Sequence, residues 1–174
     1  DIIPTPENYE KILKQRGISF YIKSYSKISH PNCVYQADIL FLTHDHYKQM
    51  IYKAVLNTVD CASRYKASVP LMSKKSSEVT KVFKKIYNSS SILLTWSKLL
   101  TIDGGKEFMD ETSKIMEAHN VTIQVISVYS YRGLALVKHF IKTLAEILYK
   151  VQYAVESITL NPKLIRAWVK HLPK

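Results

Sequence analysis

Two strand-like stretches in the first third of the chain decide its fold. Residues 34–43 read VYQADILFLT, and residues 52–60 read YKAVLNTVD. Both are rich in β-branched and aromatic residues, which favour strands. A weaker strand is predicted at Tyr65–Leu71, and the run His44–His46 is predicted to end the first strand. The main domain is therefore expected to begin with three clustered strands.

Helices and strands alternate after these three strands. In chain order, the hydrophobic spacing predicts a helix at Ser76–Tyr87, a strand at Lys98–Ile102, a helix at Glu107–His119, a strand at Val121–Ile126, a long helix at Leu134–Val155 and a last helix from Asn161 to His171. This order suits a mixed sheet with helices on both faces. A Rossmann or phosphate-loop fold would need a glycine signature that the chain lacks.

Length and composition indicate one globular domain. The chain has 174 residues, of which 47% are hydrophobic, enough to bury a core. Residues 1–32 are predicted to be an N-terminal extension or linker, and residues 33–174 the main domain. The start at Asp1 and the stop soon after a helical pattern suggest a fragment of a longer polypeptide.

The cysteines and the absence of targeting segments favour an intracellular location. Two cysteines cannot form a disulfide framework, and no signal peptide or membrane-spanning run is visible. His44 and His46, together with His30, Cys33 and Cys61, could be imagined as a zinc site. Their spacing matches no standard zinc motif, so this interpretation is disfavoured.

The charge balance points to a polyanionic partner. Twenty-five Lys and Arg against fourteen Asp and Glu give a formal net charge of +11. Such an excess favours nucleic acid, because phosphate neutralisation releases counterions. A membrane surface is the rival partner, but no basic amphipathic helix or lipidation signal supports it. A general electrostatic surface is predicted around the lysines of the first core helix: Lys74, Lys75, Lys81, Lys84 and Lys85.

Four segments in order carry a family resemblance. They read YQAD at 35–38, VDCASRY at 59–65, IDGGKEF at 102–108 and VKHFIKTL at 137–144. They resemble the W-Q-x-D, V-D-x-x-S-R-Y/F, T-D-N-G-x-E-F and V-E-R-F-N-R-T-L motifs of retroelement integrase catalytic cores. The resemblance spans about residues 34–155. It implies a ribonuclease H-like α/β fold, with a five-stranded mixed sheet and helices on both faces, and a homodimer.

The resemblance also implies a site for metal-dependent polynucleotidyl transfer. Integrases cut and join DNA with two Mg²⁺ or Mn²⁺ ions held by three carboxylates. Asp38 matches the first carboxylate, and an unpaired acid in its apolar strand would otherwise be costly. Asp103 matches the second, although Asp-Gly is also ordinary turn chemistry. Asp60 matches a position that is structural in the family.

Lys138 stands where the family's third acid belongs. An ammonium group has three donors and no acceptor, so it cannot ligate magnesium, and it repels the ion. Lys138 is therefore predicted to form a salt bridge with Asp38 or Asp103, which makes metal binding doubtful. Glu146 is roughly 12 Å further along the same helix. Glu107 and Asp110 are expected on the neighbouring helix, so none of these acids is a convincing substitute.

Basic residues are expected around the same cleft. The loop Ser127–Gly133 corresponds to the family's mobile active-site loop, with Gly133 as a possible hinge. Phosphate contacts are predicted for Lys106, Arg132, Lys138, His139 and Lys142. Each of these side chains alone could equally be an ordinary solvated charge.

The sequence thus predicts an integrase-core-like domain, derived from a DNA strand transferase, that binds nucleic acid and is catalytically inactive. A residually active metal-dependent integrase remains an alternative. So does an interaction module, recruited by the host, whose basic surface binds a protein partner. A nuclear location is implied by the family's work on chromosomal DNA, and no membrane partner is expected.

Overall fold

The computed structural model describes residues 30–126 and 131–173 of the chain. Its strands are β1 (Val34–Tyr47), β2 (Met50–Asp60), β3 (Lys66–Leu71), β4 (Leu99–Asp103) and β5 (Thr122–Ile126). Its α-helices are α1 (Ser76–Tyr87), α2 (Glu111–Ala118), α3 (Ala135–Glu156) and α4 (Pro162–Ile165). Single 3₁₀ turns occur at Lys106–Phe108, Tyr131–Leu134 and Val169–His171.

The five strands form one mixed sheet in the order β3-β2-β1-β4-β5. The strands β1, β2 and β3 pair antiparallel, as expected for strands joined by short turns. The strands β4 and β5 run parallel to β1, and each is preceded by a helix that crosses over the sheet. The predicted α/β architecture with a five-stranded mixed sheet is confirmed.

Apolar side chains cover both faces of the sheet. On one face, a core that includes Phe83 and Ile86 of α1 and Met116 of α2 packs against alternate residues of β1, such as Tyr35 and Ala37. On the other face, two smaller clusters join α3 to the sheet through Val137, Leu144, Leu148, Val55 and Val59. These layers place the N-terminal end of α3 against the centre of the sheet.

The strand β1 is longer than its sequence pattern predicts. It continues through His44–His46 to Tyr47 because it forms a hairpin with β2, and the register shifts between Phe41 and Asp45. The C-terminal segment also secures this extension. The indole nitrogen of Trp168 donates to the carbonyl of Thr43 at 2.6 Å, and the amide of Val169 donates to the carboxylate of Asp45 at 2.7 Å. The predicted break at His44–His46 was wrong.

Two helix predictions also need correction. The helix expected at Glu107–His119 begins at Glu111, and Lys106–Phe108 forms a separate 3₁₀ turn. The last helix, expected to reach His171, is the single turn α4 followed by a 3₁₀ turn. The predicted N-terminal extension up to residue 29, and residues 127–130 of the predicted loop, lie outside the described residues. No helix in the described part of the chain could span a bilayer.

Candidate functional site: two carboxylates and a lysine at the centre of the sheet

Asp38 and Asp103 lie on the neighbouring strands β1 and β4. The parallel register of these strands ends at the pair Gln36 and Thr101, and each acid lies two residues beyond its member of that pair. Aligned residues of parallel strands point to the same face of a sheet. Both side chains are half-buried. The fold therefore brings together the two acids that the sequence assigned to one site.

The pKa of Asp38 is raised above its ordinary value, first of all because burial disfavours the charged carboxylate. The backbone amide of Ile39 opposes this by donating to its Oδ1 at 2.8 Å. The charges of Asp103 and, more weakly, Glu107 raise the pKa, whereas the charge of Lys138 lowers it. The charges of Asp103, Glu107 and Lys138 therefore all influence the ionisation of Asp38.

Lys138 lies in the first turn of α3 and is exposed. Its ammonium group is close enough to Asp38 to favour the ionised carboxylate. The charge of Lys138 therefore acts on Asp38, and the assignment of Lys138 to the position of the family's third acid stays a prediction. The predicted direct salt bridge with Asp38 or Asp103 stays a prediction.

Gln36 fixes the start of α3 above the two acids. Its side-chain oxygen accepts hydrogen bonds from the amides of Leu136 at 3.0 Å and Val137 at 3.1 Å. These amides belong to the first turn of α3, which has no carbonyl partners of its own for them. Gln36 is 1% exposed. Gln36 belongs to the YQAD segment, but its sequence context predicts no role for it, because the two amides that it binds lie about a hundred residues further along the chain.

The turn after β4 carries a third acid towards the site. The amide of Gly105 donates to Asp103 Oδ1 at 3.2 Å. A Cβ atom at Gly105 would lie 2.7–2.9 Å from the carboxylate of Glu107, so that carboxylate folds back over the glycine. The charge of Glu107 is the smallest of the influences that raise the pKa of Asp38.

Asp60 has a different environment. It is 1% exposed and accepts hydrogen bonds from Asn32 N at 3.2 Å, Ala62 N at 3.1 Å and Ser63 Oγ at 2.6 Å. These contacts hold the turn after β2 and leave the carboxylate engaged with protein donors. The arrangement agrees with the structural role expected for Asp60.

The donor set does not suit a two-metal centre. Asp38 and Asp103 supply carboxylate oxygens, but Lys138 supplies a cation with no acceptor. In residues 30–126 and 131–173, no group of three His, Cys, Asp or Glu side chains is arranged to hold a metal ion. No metal-dependent step can therefore be derived from these residues.

The described residues that are predicted to contact phosphate lie on two elements near the acids, the turn after β4 and the helix α3. Lys106 is exposed in the 3₁₀ turn after β4, and His139 and Lys142 are exposed on α3 next to Lys138. The side chain of Arg132 lies outside the described residues. A Cβ atom at Gly133 would lie 2.8–2.9 Å from the side chain of Ile126, so close packing requires glycine there. Its role as a hinge stays a prediction.

Comparisons with known proteins place the fold in the ribonuclease H-like α/β class. No protein-family model matches the chain, and no curated protein does. Among solved structures, the intasome of simian T-cell lymphotropic virus in complex with the PP2A regulatory subunit B56 gamma is similar, with 20% identity and a TM-score of 0.57. That match covers 82% of this chain and 50% of the other, so the chain spans half the length of the matched protein.

The integrase catalytic core domain of HTLV-2 is also similar in two structures with magnesium. The dimeric form matches with 18% identity and a TM-score of 0.52, covering 79% of this chain and 85% of that core. The trimeric form matches with 17% identity and a TM-score of 0.52, covering 79% and 84%. The chain therefore has the fold of retroviral integrase catalytic cores, as the resemblance of its motifs implied.

The raised pKa of Asp38 predicts that Asp38→Asn stabilises the protein at neutral pH. When the pKa of a carboxyl group is higher in the folded than in the unfolded state, the group favours folding at pH values below its unfolded-state pKa. This contribution is lost as the pH rises through the folded-state pKa. Asparagine cannot ionise, so Asp38→Asn should raise the melting temperature at pH 7 by about 2 °C. The gain should disappear at acidic pH, where Asp38 is protonated in both states.

Thermal unfolding from acidic to neutral pH measures this effect. Glu117→Gln is the matched control, because Glu117 is an exposed acid on α2, which covers the opposite face of the sheet from α3. It should leave the melting temperature unchanged across the range. If Asp38→Asn destabilised the protein at pH 7, Asp38 would be making a net favourable ionic contact, and the assigned balance of charges would be wrong.

Proposed function

We propose that the chain is an integrase-like core domain that binds DNA through its phosphate backbone and does not catalyse strand transfer. The observation that carries this proposal is the position of Lys138 in the first turn of α3, which Gln36 holds close to Asp38, one of the two acids assigned to the site. The charge of Lys138 there favours the ionised carboxylate of Asp38. It supplies the positive charge that a metal ion would otherwise bring to these acids.

Catalytic inactivity follows from the chemistry of the site residues. Two-metal transfer needs hard oxygen ligands around both ions, one activating the attacking oxygen and one stabilising the leaving oxygen. The HTLV-2 core was solved with magnesium. In this chain, a divalent ion at the same place would have to displace Lys138 and bind two carboxylates only. Weak metal binding and loss of transfer activity are the expected results.

DNA binding is supported by the net charge of the chain and by exposed lysines next to the paired acids. The net charge is +11, and the exposed residues Lys106, Lys138 and Lys142 lie on the two elements that border the paired acids. Phosphate contacts of this kind position DNA without reading its sequence. Binding should therefore depend strongly on salt and little on base sequence, and it should persist when divalent ions are chelated.

Charge reversal at Lys142 tests the binding surface. Lys142→Glu should weaken binding to a random duplex by about tenfold at low salt, and should reduce the slope of log affinity against log salt by about one. Fluorescence anisotropy over a range of salt concentrations measures both. Lys84→Glu is the matched control, because Lys84 is an exposed lysine on α1, which covers the opposite face of the sheet.

Equal losses from Lys142→Glu and Lys84→Glu would place binding on the whole basic surface and contradict the proposed interface. No binding of duplex DNA by the unaltered chain would favour the protein-interaction alternative. That alternative has one supporting observation, since a similar intasome structure includes a PP2A regulatory subunit. The residually active alternative would need Glu107 to turn towards Asp38 as a third ligand.

The proposal also includes the oligomeric state and the cellular location of the chain. A homodimer is proposed from the likeness to the HTLV-2 core, which was solved in a dimeric form. A nuclear location is proposed because a DNA-binding domain of this kind acts on chromosomal DNA. Sedimentation of the purified chain tests the first proposal, and microscopy of a tagged chain tests the second.

A further inference from the structure

The hairpin formed by β1 and β2 extends beyond the rest of the sheet. Parallel pairing with β4 involves only Val34–Gln36 of β1, and antiparallel pairing with β3 involves only Ala54–Val59 of β2. Among the described residues, no third strand therefore flanks the outer part of the hairpin, residues 42–53. Beyond Ala54, the outer edge of β2 carries backbone N–H and C=O groups with which no described strand pairs.

Large apolar side chains are exposed at this end of the sheet. Ile51 is 43% exposed, Phe41 is 46% exposed and Met72 is 38% exposed. Phe41 pairs with Ala54, and Ala54 pairs with Leu71, the residue before Met72. Ile51 lies three residues from Ala54, which is about 10 Å along β2. The three side chains therefore lie near one another, and the core of the domain does not cover them.

Exposed lysines surround these apolar side chains. Lys48 lies in the turn of the hairpin, Lys53 lies on β2, and Lys74 lies between β3 and α1. The Nζ atom of Lys74 is 4.0 Å from the centre of the Phe41 ring. An ammonium group has three donors, so a lysine that lies over a ring can still bind a carboxylate.

The same end of the molecule exposes little negative charge. Asp45 is the only acid in residues 41–53 and 72–77, and it is 1% exposed, with its carboxylate bound to the amide of Val169. The C-terminal segment that packs on the hairpin, residues 157–173, contains no acid. Glu78 is half-buried in the first turn of α1, where its charge stabilises the N-terminus of the helix. The exposed lysines thus favour an acidic partner.

We propose that this end of the hairpin binds an extended, acidic segment of a partner protein that also carries apolar side chains. The hairpin surface consists of three apolar residues and three lysines: Phe41, Ile51, Met72, Lys48, Lys53 and Lys74. Carboxylates of the segment pair with the lysines, its apolar side chains pack on the apolar residues, and its backbone adds to the outer edge of β2. Lysine at an open edge disfavours pairing with neutral strands, but it attracts an acidic one.

The hairpin surface is separate from the proposed DNA interface. Phe41 and Asp38 are three residues apart on β1, so their side chains point to opposite faces of the sheet. Duplex DNA would satisfy the lysines, but it offers neither apolar side chains nor a backbone that continues a sheet. The inference therefore goes beyond the proposed DNA binding and does not depend on it.

The test uses the whole chain and a labelled peptide of about eight residues, a common strand length, in which glutamate and valine alternate. Fluorescence anisotropy should show binding at low salt. Lys53→Glu should weaken binding about tenfold, because it replaces an attraction with a repulsion. Ile51→Ser should weaken it by a similar factor, because it removes apolar contact area. Bound peptide should also slow amide hydrogen exchange at residues 50–53 and leave exchange in α3 unchanged.

Lys114→Glu and Leu93→Ser are the matched controls. Lys114 on α2 and Leu93 before β4 are exposed residues outside the hairpin surface. Neither change should alter the affinity for the peptide. Equal losses in the control variants would overturn the proposal, and so would equally tight binding of a peptide in which glutamate and serine alternate.

Two further ligands separate the remaining outcomes. If the peptide did not bind but vesicles containing phosphatidylserine bound through Ile51 and Lys53, the surface would be a membrane contact and the proposal would be wrong. Duplex DNA should bind equally well to Ile51→Ser and to the unaltered chain. Absent peptide binding with intact DNA binding would overturn this inference alone. Peptide binding without DNA binding would overturn the proposed function alone.

Discussion

Replacing Lys138 with glutamate is expected to create a site that binds divalent metal ions. The change removes the ammonium group whose charge acts on Asp38 and adds a third carboxylate in the first turn of α3. Since rearranging groups that merely support a metal ligand changes affinity by 10- to 100-fold, exchanging a repelling cation for a ligand should raise the affinity for Mn²⁺ by at least about a hundredfold. Calorimetric titration with Mn²⁺ measures this gain without requiring catalysis.

Metal-dependent strand transfer and disintegration are expected only in the Lys138→Glu variant. Lys138→Gln is the control, because it removes the positive charge without supplying a carboxylate. If Lys138→Gln bound Mn²⁺ as tightly as Lys138→Glu, repulsion alone would have kept the metal out. Transfer by the unaltered chain would contradict the inactive site and point to a hidden third ligand, for which Glu107→Gln is the next variant to test.

If no variant catalysed strand transfer, the binding of Mn²⁺ to Lys138→Glu would distinguish between two explanations. If Lys138→Glu bound Mn²⁺ but did not transfer strands, the lesion would be wider than position 138 or transfer would need a segment absent from the 174 residues. If the variant failed to bind Mn²⁺ at all, Asp38 and Asp103 would not be poised as ligands. The assignment of these residues to a former metal site would then be wrong.

The central strands could be predicted from the sequence because their composition and burial agree. Val34–Gln36 and Val55–Val59 are rich in apolar and β-branched residues, and the structure buries most of them in the sheet. The end of β1 could not be predicted. It depends on pairing with β2 and on Trp168, which donates to Thr43 across 125 residues of sequence. Polar residues such as His44 and His46 look like a strand end when the partners are unknown.

The sequence could identify candidate site residues only where they stand in recognisable motifs. Asp38, Asp103 and Lys138 each stand in a recognisable motif, and the charges of Asp103 and Lys138 both act on Asp38 in the structure. The position of Glu107 was not predictable, because it depends on a 3₁₀ turn that replaces the expected start of a helix. The role of Gln36 depends on amides a hundred residues away, which no local pattern indicates.

Replacing Gln36 with leucine should be among the most destabilising single changes near the site. Leucine is close in size, but it leaves the amides of Leu136 and Val137 without the acceptor that Gln36 provides. Leaving a buried donor unsatisfied costs about 1–3 kcal/mol, so with two donors affected the free energy of unfolding should fall by about 2–6 kcal/mol. Urea denaturation measures this loss. Thr80→Val is the control, because it removes one buried hydrogen bond to Thr112 on the opposite face, at a cost of about 1 kcal/mol.

The same variant separates a structural role from a positioning role. If Gln36 positions the first turn of α3, the loss of its two hydrogen bonds lets Lys138 move away from Asp38. Since the charge of Lys138 lowers the pKa of Asp38, that pKa should rise further in Gln36→Leu and stay unchanged in Thr80→Val. Carbon-detected NMR of the Asp38 carboxyl group follows the titration directly. Lower stability with an unmoved Asp38 titration would mean that Gln36 supports the fold but does not set the distance between the lysine and the acids.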